Sequence, residues 1–116
     1  MLEALYQLLM EDVFTRAIND DAQLHGAIAA FDGSIEFRQN ELHFTLPALF
    51  DFLVAQSPDW PAQTESERHR DYLLFREIIA KNPTNETLSK HGAAVDIATL
   101  NEVEDRIVYR LVRTPA

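Results

Sequence analysis

The 116-residue chain predicts a single α+β domain, residues 1–116, with helices packed on a small, mainly antiparallel sheet. Three features point to it. Residues 34–45 alternate apolar and polar on either side of a short turn. Thr64-Glu65-Ser66-Glu67 opens a long stretch with helical spacing. Residues 94–98 and 107–113 alternate again near the C-terminus. At 47% hydrophobic and 25% charged residues, a chain of this length can bury roughly two thirds of its unfolded surface.

Residues 2–18 read as a helix, because Leu2, Leu5, Leu9 and Val13 recur at spacings of three and four. Leu8, Met10 and Phe14 widen the apolar arc, which implies contact on two sides, with the core and either a second helix or a partner chain. Asn19-Asp20-Asp21 breaks this helix, since short polar side chains favour caps. A second helix is expected over 22–31. The Asp32-Gly33 pair supports a rival, a strand over 27–31 leading into a hairpin.

Ser34 to Thr45 carries the clearest strand signal. A two-residue turn at Gln39-Asn40 sets Phe37 opposite Leu42 and Ile35 opposite Phe44 on one face. It also sets Arg38 opposite Glu41 and Glu36 opposite His43 on the other, each such pair contributing ~0.2–1 kcal/mol. Pro47 suits the first turn of a buried helix through Ala55. The loop Ser57-Pro58-Asp59-Trp60-Pro61 cannot continue it. Thr64 and Glu67 form a capping box for a helix over 65–81, with Tyr72, Phe75 and Ile79 inward, helped by Leu74 and Ile78. Asn82-Pro83 ends that helix. Thr84 is expected to cap a short one through His91, with Gly92 left-handed beyond it. The last two strands place Val95, Ile97, Ile107, Tyr109 and Leu111 on one face. The apolar Val108 and Val112 on the other predict that the final strand is interior.

Charge is uneven along the chain. Residues 1–60 hold ten Asp and Glu against two Arg, a charge of −8; residues 61–116 hold nine acids against eight Lys and Arg, a charge of −1. Together these make the −9 of the whole. Such a front half repels phosphate and anionic lipid and favours basic surfaces. The absence of cysteine excludes disulfides, thiolate nucleophiles and thiolate metal sites. The N-terminus lacks the basic region of a signal peptide, and the apolar run from Leu46 to Ala55 is about half a membrane span, so a cytoplasmic location is expected.

The candidate chemical residues form no known motif. Gly26, Gly33 and Gly92 lie too far apart for a phosphate-binding loop. His25, His43, His69 and His91 have no i,i+4 pairing, and Arg68 and Arg70 flank His69 where a cation would have to sit. No serine lies in a nucleophile elbow. Glu36, Glu41 and His43 share a sheet face that reads as a charged, solvated surface, and as an acid–base site only if something covers it. The expectation is therefore a non-enzymatic interaction module without cofactor or metal: an adaptor, inhibitor or regulatory subunit for a basic protein partner. Glu36, Glu41, His43, Asp59 and Trp60 are its candidate contacts, and self-association through the apolar helices would give a homodimer. The alternative is a winged-helix-like nucleic-acid-binding regulator using residues 64–113. Against it stand an acidic wing, Asn101 to Asp105, and a reading helix with a single Lys.

Overall fold

The computed structural model describes residues 2–114. The N-terminal stripe forms one rod in three parts: α1 (Leu2–Leu8), a π-helical turn (Leu9–Val13) and α2 (Phe14–Ile18). The buried residues Leu5, Leu9, Val13 and Ala17 explain the interruption, because they recur at a constant spacing of four. Each such step overshoots the α-helical turn by about 40°. The wider π turn absorbs the surplus and returns the stripe to the core. Within it the Phe14 N–H donates to the Leu9 carbonyl, and Thr15 Oγ1 donates to Met10 O at 3.0 Å.

Asn19 and the left-handed Asp20 (φ 59°) end the rod. Asp21 caps α3 (Ala22–Ala30), accepting from the Leu24 N–H at 2.9 Å. Residues 27–30 are thus helical, the strand alternative is not realised, and Gly33 sits in a bend before the first strand.

β1 (Ile35–Arg38) and β2 (Glu41–Phe44) pair in the predicted register. Gln39 (φ 52°) and Asn40 (φ 66°) are both left-handed, the primed turn whose twist matches the strands it joins. The charges on this hairpin settle differently from expectation. Arg38 Nε bonds Glu36 Oε1 on its own strand at 2.6 Å instead of crossing to Glu41.

Thr45 caps α4 (Leu46–Ala55), in which seven of ten residues are buried, as its all-round hydrophobicity implies. α5 (Glu65–Lys81) opens on the predicted capping box: Glu67 N–H to Thr64 Oγ1 is 3.2 Å and Thr64 N–H to Glu67 Oε1 is 3.1 Å. Tyr72 and Phe75 point inward, but Leu74 is exposed beside Leu73. One position along an α-helix is a rotation of about 100°, so the stripe that buries Phe75 leaves its neighbour outside. α6 (Thr84–Ser89) is shorter than expected. Pro83 occupies its N-cap, and the Thr84 hydroxyl instead meets Tyr6 Oη at 2.9 Å, tying α6 to α1. Gly92 is left-handed (φ 71°), as its position after the helix requires.

β3 (Ala93–Thr99) and β4 (Val108–Arg113) flank an acidic loop with a 3-10 turn at Glu104–Arg106. They complete an antiparallel sheet of order β1-β2-β4-β3, so β4 is interior, as its two apolar faces predict. One sheet face packs on the helices. The buried cluster runs from Leu5 to Leu111 and includes Phe14, Phe44, Phe50, Phe52 and Phe75. No described helix is long and apolar enough to cross a membrane.

Candidate functional site

The outer sheet face brings the first set of candidate residues together. The pairings Glu36 to His43, His43 to Arg110 and Arg110 to Asp96 make one row across all four strands. Arg110 bridges this row, with Nη2 at 3.2 Å from Asp96 Oδ2 and Nη1 at 3.9 Å from Glu41 Oε1. The Asp96 carboxyl is held below the usual carboxylate range, first by the Ile97 N–H and then by Arg110. His43 Nε2 lies 3.7 Å from Glu41 Oε1, too far for a hydrogen bond, and Glu36 is engaged by Arg38. Nothing in this row pairs an imidazole with a carboxylate in the geometry that proton transfer needs. Among the described residues, no three His, Asp or Glu are grouped to hold a metal ion.

The acidity of the first sixty residues is also redistributed by folding. Asp12 and Asp21 pair with Arg16, Asp20 with His25, and Asp51 with Arg68 at 2.9 Å. Arg68 and Arg110 come from the other half of the chain. Among the described residues, Glu11, Asp32 and Asp59 stay outside such pairs, and they lie on three separate segments. The asymmetry along the chain does not become one acidic surface. Trp60 packs back on the core, edge-on to Phe50 at 6.5 Å between ring centroids, and its indole N–H donates to Gln63 Oε1 at 3.0 Å. Asp59 beside it is exposed.

A concavity lies on the helix-packed face, where α5, α6 and β3 diverge. It is a groove of about 730 Å³. Its floor is apolar: Phe14, Phe44, Leu46, Leu49, Ile79 and Tyr109. Phe44 and Tyr109 stack there, 6.0 Å apart. The rim carries Glu86 and Glu104 against Arg76, two carboxylates to one guanidinium, hence −1, while the Asp96 carboxylate is held by Arg110 on the outer face. Arg76 is itself engaged, 3.0 Å from Asp105 and 3.7 Å from Glu104. Burial and then the charge of Glu104 raise the Tyr109 phenol above its usual value, so it stays a neutral hydroxyl.

Two features of sequence-remote origin shape this groove. Asn85 on α6 clamps the edge strand: its Nδ2 donates to Val95 O at 3.0 Å and its Oδ1 accepts the Val95 N–H at 2.7 Å. Tyr72 and Arg76 on α5 both donate to Asp105, fixing the acidic loop at the other end. Ile97 in the groove and Leu100 and Val103 in the loop after β3 are exposed apolar side chains, Leu100 being 75% exposed. Tyr109 and Ile97 were placed on one face by strand alternation. Asn85, Glu86 and Glu104 carried no periodic signal that marks them in sequence. Comparison with protein-family models, with curated proteins and with solved structures finds no match for this chain.

Proposed function

We propose that the chain is a non-catalytic binding module whose groove takes a positively charged, apolar-faced segment of a partner protein. The observation that carries this reading is the groove: an apolar floor beneath a rim of net charge −1 from Glu86, Glu104 and Arg76, on a chain of net charge −9. Apolar floors supply affinity through buried area, and rim charges steer the approach and select the sign of the partner. The basic partner expected from composition is retained, but its seat moves from the outer sheet face to the groove. Glu36 and Glu41 are neutralised by Arg38 and Arg110, whereas Glu86 has no ion pair among the described residues. The nucleic-acid alternative gains no comparable support. α6 has six residues, and the loop that would serve as a wing exposes Glu102 and Glu104 to phosphate.

The test is calorimetric titration with a Leu–Lys peptide and its Leu–Glu counterpart at low and high salt. Binding of the Lys peptide alone is expected. It should weaken steeply as salt shortens the Debye length, ~8 Å at physiological ionic strength, and fall again in Glu86→Lys. Equal binding of both peptides, or indifference to salt, would overturn the proposal.

A further inference from the structure

We infer that the partner segment enters the groove as an amphipathic helix and does not add a strand to the sheet. This rests on the groove being the seat of a basic segment. Recognition by strand addition needs free backbone N–H and C=O groups along a sheet edge. On the β3 edge beside the groove, three of these groups are already engaged. Both Val95 groups are taken by the Asn85 amide, and the Ile97 N–H donates to Asp96 Oδ1 at 2.8 Å. What the groove offers is side-chain surface, which suits a segment that presents side chains and satisfies its own backbone.

The dimensions agree. A helix with its side chains is about 10 Å across and rises 5.4 Å per turn, so one turn fills about 420 Å³ and its buried half about 210 Å³. A groove of about 730 Å³ then accommodates the apolar face of roughly three turns. Ile97 lines the groove and is itself exposed. Glu86 and Glu104 stand where Lys or Arg flanking the apolar face would meet them.

The test uses the full chain and two Leu–Lys peptides of identical composition. In one, Leu recurs at helical spacing; in the other, Leu and Lys alternate as in a strand. Amide chemical shifts are followed by NMR, with toluene as a small apolar probe. The helical pattern is expected to bind about tenfold or more tightly than the alternating one. Its shifts should map to Tyr109 and Ile97, and the peptide should gain helical circular dichroism. Tighter binding of the alternating peptide, with shifts at Val95 and loss of the Asn85 side-chain amide signal, would overturn the helix while leaving the basic-segment reading standing. Toluene saturating the floor while neither peptide binds would overturn both.

Discussion

Asn85→Ala removes the clamp on the sheet edge, and its consequences can be worked from two distances. The amide makes two bonds to Val95, at 2.7 and 3.0 Å. Each is worth about 0.5–1.5 kcal/mol net, and both groups are near solvent, so water replaces part of the loss. The expected destabilisation is about 1–2 kcal/mol. With a urea dependence of about 1–3 kcal/mol per molar, the unfolding midpoint should fall by roughly 0.3–2 M at unchanged slope. Freeing the edge should also promote concentration-dependent association, read by sedimentation velocity, since an uncapped strand is a template for another. Asn85→Asp separates the two bonds. The new carboxylate still accepts from the Val95 N–H but faces the Val95 carbonyl with no proton to donate. Its deficit against wild type should narrow as the introduced carboxyl protonates. An Asn85→Ala protein that unfolds at the wild-type midpoint and sediments as wild type does would refute the clamp and the engaged edge built on it.

Two further perturbations probe the core and the loop anchor. Phe75 is fully buried and packs 5.5 Å from Phe50, so Phe75→Ala should lower stability by about 3–5 kcal/mol in chemical denaturation; a change under about 1 kcal/mol would mean this aromatic cluster is not the core. Burial first, and then its bond to Asp105, raise the Tyr72 phenol above the ordinary 10.0. A folded-state pKa above the unfolded one contributes stability below pH 10.0 that is lost as pH climbs through the folded value. Alkaline unfolding series should therefore show a loss of at most about 1.4 kcal/mol per pH unit that is missing in Tyr72→Phe. Identical alkaline slopes in the two proteins would show that Tyr72 does not carry it.

Local patterns were legible because their causes lie within a few residues. The hairpin register follows from alternation and a two-residue turn, and the α5 boundary from Thr64 and Glu67. Where a local rule met a competing contact, the contact prevailed. The Thr84 hydroxyl left its capping role for Tyr6, and Arg38 chose Glu36 two positions away over Glu41 across the strand. The π turn had a visible cause in the fourfold repeat of Leu5, Leu9, Val13 and Ala17. Its form is dictated by the core to which those residues must return.

Composition and periodicity by themselves determined an α+β chain with an interior last strand, a buried α4 and a surplus of acid. Only the tertiary structure decided where that acid acts. Arg68 reaches Asp51, Arg110 reaches Glu41 and Asp96, and Glu86 and Glu104 come to the groove between α5, α6 and β3. Apolar spacing is a property of neighbours in sequence. Ion pairing and concavity join residues that only chain folding brings within a few ångströms, and no window of sequence contains both partners.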